Sequence, residues 1–280
     1  MGKTPSKFHF PLEIKLESNP LLEAWLEIRW QLEPGVAPGL KRDAGFPFAL
    51  AAFYASVRDR FGYREDLDAS HAPQGVLPYV VRHRFRSGEN EWPLLQLGPG
   101  VGTVNFTSPY TWDDFKETAL YLRRILLDAY TETELKTQTV TLRYRNGIPF
   151  EYHSSDLLSY LKHNLNTSIG LPVHIPGLGN SMTWPTSMNF VLSFDLSEPR
   201  GTGTLRFATA VRRQKSPESS QETESEMLIW QLEVESGGDD APELSKEDEF
   251  AQWLISAHNV IHEWFFSLIQ GPLYRMYRGE

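Results

Sequence analysis

Arginine residues recur at every second position in several segments of this chain, and they offer its clearest binding chemistry. A guanidinium group presents a planar fork of N–H donors, so it binds a phosphate or a carboxylate through paired hydrogen bonds. Where arginines alternate with apolar residues along a strand, they share the face opposite the core. The arginines that follow this alternation are Arg29, Arg82, Arg84, Arg86, Arg143, Arg145, Arg206 and Arg212.

We therefore predict a sheet whose helix-free face carries several guanidinium groups and one tryptophan. The residues that we expect to contact a ligand there are Arg29, Arg82, Arg84, Arg143, Arg145, Arg206 and Trp25.

Polar residues on the same face leave three interpretations open. Cross-strand arginine–glutamate pairs would neutralise the face and leave only a solvated surface. Unpaired arginines would instead bind an anionic ligand, an acidic protein partner or a nucleic-acid strand. An open sheet that includes Trp25 is also a candidate homodimer interface. The polar residues concerned are Glu23, Glu27, Asn189, Ser193 and Asp195.

A histidine pair near the C-terminus has the spacing of a zinc-binding helix. His258 and His262 are four residues apart, which places both imidazoles on one helix face. However, the order is HNVIHE and not HExxH, and no third ligand is evident. His258 also lies beside the apolar positions Leu254 and Ile261. We interpret the pair as packed side chains and predict no metal site.

The other candidate motifs favour structural roles. The glycines of GPGVGT (98–103) join two predicted strands and not a strand and a helix, so they indicate a hairpin turn and not a phosphate-binding loop. Serine–histidine–aspartate catalysis is left open by the residue counts, but the chain has no G-x-S-x-G elbow. We assign no catalytic residue and expect no cofactor.

The composition narrows the class of protein. Of the 280 residues, 40% are hydrophobic and 12% aromatic, which suits a packed globular core. The absence of cysteine excludes disulfides, a thiolate nucleophile and cysteine-type metal sites. A net charge of −9 argues against a large nonspecific nucleic-acid surface. No apolar run is long enough for a signal peptide or a membrane span, so we expect a cytoplasmic protein without a membrane partner.

Hydrophobic periodicity predicts the element order β-α-β-β-β-α twice, once in residues 1–135 and once in residues 136–280. This order indicates an α+β fold made by tandem duplication, with long helices packed on one face of antiparallel sheets. It resembles the order of the helix-grip folds and of the TATA-binding protein. The polar segments 213–226 and 236–249 are expected to be flexible.

The predicted strands are 21–32, 78–85, 93–97, 101–106, 138–146, 188–196, 203–213 and 226–235, and the predicted helices are 46–62, 112–134, 154–165 and 246–270.

Several stretches resemble a sporadically distributed prokaryotic protein family of similar length, one without an assigned biochemical role. They are NPLLEAWLEIRWQL (19–32), PLLQLGPGVGTVNF (93–106), TLRYRNGIPF (141–150) and AHNVIHEWFFSLIQGPLYRMY (257–277). The resemblance implies a bacterial or archaeal origin and carries over no catalytic residue.

These observations favour a binding or interaction protein that uses the open sheet face, or the groove between the repeats, for a protein or an anionic ligand. One alternative is an enzyme acting on a phosphorylated or nucleotide substrate in that groove. The other is a nucleic-acid binder, which the acidic net charge makes less favoured.

Overall fold

A computed structural model describes residues 16–35, 37–73, 75–130, 135–171, 185–215 and 222–280. The fold is α+β: one large antiparallel sheet of nine strands and, in the described ranges, five α-helices. A separate two-strand ladder of two residues each forms a small hairpin before the first helix.

The strands are β1 (Leu21–Trp30), β2 (Glu33–Pro34), β3 (Lys41–Arg42), β4 (Tyr63–Asp66), β5 (His83–Arg86), β6 (Leu94–Gly98), β7 (Val101–Phe106), β8 (Thr137–Pro149), β9 (Asn189–Ser197), β10 (Arg200–Lys215) and β11 (Glu222–Gly237). The helices are α1 (Phe46–Val57), α2 (Trp112–Ala129), α3 (Leu157–Asn164), α4 (Glu247–Leu268) and α5 (Gly271–Arg278).

The strand order in the large sheet is β4-β5-β6-β7-β1-β8-β11-β10-β9. The central neighbours are the first predicted strand of each half, β1 and β8, which pair antiparallel with Leu26 opposite Leu142. On one side of this pair come β7, β6, β5 and β4, and on the other side come β11, β10 and β9. In each half, therefore, the strand that comes last in the sequence lies next to the central pair.

The helices cover one face of the sheet because every second strand residue there is apolar. Along β1 the buried residues Ala24, Leu26 and Ile28 alternate with half-buried polar residues and Trp25. They join a core with the inner faces of α1, α2 and α4, and a second apolar cluster lies beneath the β8–β11 end with α3 and α5. Burying one large aliphatic side chain contributes about 1.5–3 kcal/mol, so this alternation fixes which face remains open.

Helix α2 begins where capping chemistry predicts. The Thr111 side chain accepts a hydrogen bond from the Asp114 backbone N–H, and Asp113 and Asp114 lie in the first turn, where a carboxylate complements the helix dipole. The Asp156 carboxylate caps α3 in the same way through the Ser159 N–H. The glycines of 98–103 form a hairpin turn, since Gly98 pairs with Val101, which confirms that prediction.

Several predicted boundaries were wrong. The helix expected over 46–62 ends at Val57, and the strand expected from 78 begins at His83, because Tyr79 has a left-handed backbone with φ 60°. The sequence patterns also missed β4 and α5.

The second half extends its strands further than expected. Strand β8 continues through Asn146 and Gly147 to Pro149, because β11 pairs with it as far as Met227. The predicted flexible segment 213–226 is partly strand, in β10 and β11, and its centre, 216–221, lies outside the described residues. In the predicted flexible segment 236–249, Ser236 is buried and its hydroxyl accepts a hydrogen bond from the Trp253 indole N–H at 2.8 Å.

In the described ranges, no helix combines the length and the apolar character that crossing a membrane requires.

Candidate functional site: the open face of the sheet

The face opposite the helices, here called the open face, collects alternate residues from every strand of the large sheet. The register places Trp25 beside Asn105 on one side and Arg143 on the other, and Arg143 beside Glu233. On the outer strands, Arg84 lies opposite Gln96 and Arg206 opposite Gln231. The sheet thus places Arg84, Arg143 and Arg206 on one surface, but it gives them different neighbours.

A chain of polar contacts crosses the open face between β5 and β8. The Arg84 Nε donates to the Gln96 Oε1 at 3.0 Å, and the Gln96 amide donates to the Asn105 Oδ1 at 2.8 Å. The Asn105 amide then donates to Glu23 at 2.8 Å, and Glu23 pairs with Arg145 at 3.5 Å. Each guanidinium in this network already has an acceptor from a neighbouring strand.

Trp25 lies beneath two of the arginines. The Arg143 guanidinium carbon is 4.2 Å from the centre of the indole ring, and that of Arg145 is 5.3 Å away. Arg143 also forms an ion pair with Glu233, and the two side chains are only 24% and 15% exposed. Trp25 is therefore a stacking support for the arginines and not a free aromatic surface.

Two of the predicted ligand contacts have structural partners at the edge of this network. Arg29 pairs with Glu27 at 2.8 Å and lies over the Tyr79 ring. Arg82 is only 4% exposed, and its guanidinium donates to the backbone carbonyls of Ala72 and Pro73. The expectation that Arg82 is available on the open face is wrong because its guanidinium is buried against these two carbonyls, although its backbone N–H still bonds to the Leu97 carbonyl of β6.

The arginines of β10 have different surroundings. In the part of the chain that the structure describes, Arg206 and Arg212 have no ion pair or side-chain hydrogen bond, and both are exposed. They line a cleft of about 490 Å³ together with Arg145. Its other lining residues are Leu22, Ala208, Ala210, Val211, Met227, Ile229 and Gln231.

The floor of this cleft depends on two local irregularities. The register of β1 against β8 shifts between Leu21 and Glu23, and the bulge turns Leu22 toward the open face. Gly147 of β8 lies opposite Ile229, and a Cβ at Gly147 would be 2.6 Å from the Ile229 Cδ1 and 2.8 Å from the Leu22 Cδ1. The missing side chain at Gly147 therefore lets Leu22 and Ile229 close into an apolar floor.

Chemically, the cleft suits an anion with an apolar body. Guanidinium groups at its rim can donate paired hydrogen bonds to a carboxylate, sulfonate or phosphate. The alkyl side chains at its floor can cover an apolar moiety. None of the described lining residues carries a carboxylate, an imidazole or a hydroxyl group, so this described lining offers neither a general base nor a nucleophile.

The histidine pair lies on the opposite, helix-covered side of the sheet. His258 is buried, stacks on Trp112 with ring centres 3.7 Å apart, and binds the Tyr144 hydroxyl through its Nδ1 at 2.8 Å. Burial, together with a smaller effect of the neighbouring His262, lowers the pKa of His258 to about 3. Among the described residues, no cluster of three or more histidine or acidic side chains has the geometry for a metal.

A second depression beside α3 contains serine, histidine and aspartate without forming a triad. The His163 Nδ1 lies 2.8 Å from the carbonyl oxygen of Ser159 in its own helix. The Asp156 carboxylate is occupied by the helix cap and has no hydrogen bond to His163 among the described contacts. An imidazole without an orienting carboxylate lacks the arrangement that activates a serine.

The sequence patterns missed the apolar half of the cleft. Leu22 and Ile229 read as ordinary strand residues, and the bulge that exposes Leu22 leaves no signal in the hydrophobic alternation. Arg212 follows the alternation but was not among the expected ligand contacts. Gly147 was the one available signal, since a glycine inside a strand marks a bulge or a close approach.

A scan against protein-family models and a search of the curated proteins both found no match to this chain.

Proposed function

We propose that this chain is a binding protein that takes an anionic ligand with an apolar body in the cleft beside β10. The observation that carries the proposal is the pair Arg206 and Arg212, exposed and without described partners, above the floor formed by Leu22, Met227 and Ile229. A cation that the fold leaves unneutralised retains its full capacity for an incoming anion.

Binding is favoured over catalysis because the described lining of the cleft offers only guanidinium, amide, thioether and alkyl groups. Among these, guanidinium and amide groups orient a ligand, but they do not abstract a proton or attack a carbonyl at neutral pH.

We also infer that the architecture arose by tandem duplication, with repeats 1–135 and 136–280. The support is the sheet order, in which β1-β7-β6-β5 on one side matches β8-β11-β10-β9 on the other. In this proposal the element order of each repeat resembles that of the TATA-binding protein and the helix-grip folds. In this interpretation the two unpaired arginines of the cleft, Arg206 and Arg212, belong to the second repeat, and Leu22 of the first repeat contributes to its floor.

The test uses 8-anilinonaphthalene-1-sulfonate, a dye that combines an anionic group with an apolar ring system. Titration with fluorescence detection at pH 7.5 should give saturable binding that Arg206→Ala weakens about tenfold, since a charge-assisted hydrogen bond contributes about 1.5–3 kcal/mol. Arg206→Lys should restore only part of the affinity, because an ammonium cannot form the bidentate contact.

Arg84→Ala is the matched control. Arg84 lies on the same face, but its guanidinium already donates to Gln96 and lies 3.5 Å from Glu65. Dye affinity unchanged in Arg84→Ala and reduced in Arg206→Ala supports the proposal. Equal affinities for the wild-type protein, Arg206→Ala and Arg212→Ala would rule out the cleft as the anion site.

A further inference from the structure

The two edges of the large sheet differ in how well they are protected against pairing with another strand. At one edge, β4 has only four residues, and three of them are charged: Arg64, Glu65 and Asp66. At the other edge, β9 runs for nine residues, NFVLSFDLS, with one charge and no proline or lysine. Short length and charge are the usual protections of an edge strand, whereas β9 is long and carries a single charge.

The backbone of β9 is oriented to accept a further strand. The Met188 carbonyl accepts from the Thr209 N–H, and the register of β9 on β10 continues this pair with Asn189 opposite Ala208. In an antiparallel ladder alternate residues form the bonded pairs, so the even-numbered residues of β9 bond to β10. The N–H and C=O groups of the odd-numbered residues, including Val191, Ser193 and Asp195, therefore point away from the sheet.

Apolar side chains are exposed on both sides of this edge. Val191, Leu192 and Phe194 are 50%, 38% and 46% exposed. On the helix side, Phe194 borders a groove of about 390 Å³ that is also lined by Leu205, Trp264 and Leu268. No described strand covers this edge.

We propose that the outer edge of β9 pairs with the β9 edge of a second copy of this chain, antiparallel and centred on Leu192. This register places Val191 opposite Ser193 of the second copy, so residues with outward-pointing backbone groups meet each other. It also places Phe190 opposite Phe194, next to the apolar groove. Directly opposed side chains in an antiparallel pair have Cβ atoms about 4.5–5.5 Å apart, close enough for these contacts.

The polar residues of β9 select this register and this partner. Centred on Leu192, the pairing sets Asn189 opposite Asp195 twice, so each carboxamide can donate to a carboxylate. Centred on Ser193, the pairing would set Asp195 against Val191 and leave the carboxylate without a donor. The strand is therefore complementary to itself, and it keeps its two like charges apart.

The experiment measures the dimer dissociation constant of the full chain by sedimentation velocity over about 1–100 µM, the range expected for a small interface. Asn189→Asp should weaken the dimer about tenfold, because it creates two carboxylate–carboxylate pairs. Asn189→Lys should strengthen it by a similar factor. Asn189 is exposed, so neither change alters the core.

The double variant Asn189→Asp with Asp195→Asn is the matched control, because it exchanges the two partners and should restore the wild-type constant. Tyr63→Lys on the β4 edge should leave the constant unchanged. A chain that stays monomeric up to 100 µM overturns the proposal, and so does a dimer that is insensitive to both changes at Asn189. The anion cleft plays no part in this pairing, and dye binding reports on it separately.

Discussion

Arginine side chains lie at both ends of the open face, but they have acceptors at one end and no described acceptor at the other. Between β5 and β8, the guanidinium groups of Arg84, Arg143 and Arg145 have acceptors on neighbouring strands. On β10, Arg206 lies between Val191 and Gln231, and Arg212 lies opposite Ser225. Whether an arginine is available for a ligand thus depends on the residue beside it on the next strand.

At the paired end, between β5 and β8, the contacts of the arginines join strands to one another more than they form a binding surface. Its cations and anions alternate across strands that lie far apart in sequence, so they hold the two halves of the sheet together at β1 and β8. Among the described residues, Arg206 and Arg212 have no such partners and lie above an apolar floor instead. The same residue type therefore stabilises the fold in one region and remains available for ligand binding in the other.

The largest expected effect concerns the helix layer beneath both ends. Burial lowers the pKa of His258 to about 3, whereas an unfolded histidine titrates near 6.5. The unfolded chain binds the proton first, so the free energy of unfolding should fall by roughly 4 kcal/mol as the pH falls from about 6.5 to 3. Urea denaturation at several pH values measures this dependence of the free energy of unfolding on pH. It also gives the pH range in which variants of the two ends can be compared.

The control for that slope is His258→Asn, which keeps an acceptor near the Nδ1 position for the Tyr144 hydroxyl. The variant should lose a large part of the pH dependence. His262, whose pKa burial also lowers, retains its share. A variant with the wild-type slope would show that the acid sensitivity arises elsewhere.

The next effect separates the two ends by stability. Arg143→Ala leaves Glu233 without its partner in a mostly buried position, and it removes the cation over Trp25, so we expect a loss of about 2–3 kcal/mol. Arg206→Ala should change the free energy of unfolding by less than about 0.5 kcal/mol. Urea denaturation at pH 7.5 compares the two variants, and equal losses would contradict the distinction between the two ends.

A smaller effect should appear when one arginine is released from the network. Glu23 pairs with Arg145, which belongs to the chain of polar contacts between β5 and β8 and also lines the cleft. Glu23→Gln removes that negative charge while its amide oxygen still accepts from Asn105, so affinity for the anionic dye should rise about threefold. Dye titration at low and high salt checks this, since the gain should shrink as salt screens the charges.

The smallest stability effect is expected at Gly147. An added methyl group must displace the ends of Leu22 and Ile229 into the cleft, while alanine suits a strand slightly better than glycine. Gly147→Ala should therefore change the stability by less than about 0.5 kcal/mol and weaken dye binding. Dye binding at the wild-type affinity would show that the floor does not contact the ligand.

Strand alternation predicted much of this arrangement, because a period of two separates core from open face without knowledge of the partner strand. Arg84, Arg143, Arg145 and Arg206 occupy the predicted face for that reason. Arg82 is buried instead, because its guanidinium donates to the Ala72 and Pro73 carbonyls, a contact that local alternation does not reveal.

Elements with weak periodicity were predicted less well. Strand β4 reads YRED and α5 reads GPLYRMYR, and each is too short and too polar to show a clear pattern. Strand β8 continues through Asn146 and Gly147 because β11 supplies hydrogen bonds along its length, although an asparagine–glycine pair favours a turn.

By itself, the sequence determined the α+β class, the amphipathic faces of the long helices and the strands that carry arginine. These follow from local periodicity and from capping residues such as Thr111 and Asp156, which act over a few residues. Only the tertiary structure decided which arginines are paired, because Arg143 meets Glu233 and Arg145 meets Glu23 across strands that are distant in the chain. The acids that pair with Arg143 and Arg145 lie on neighbouring inner strands, whereas Arg206 and Arg212 of β10 have no carboxylate partner among the described residues.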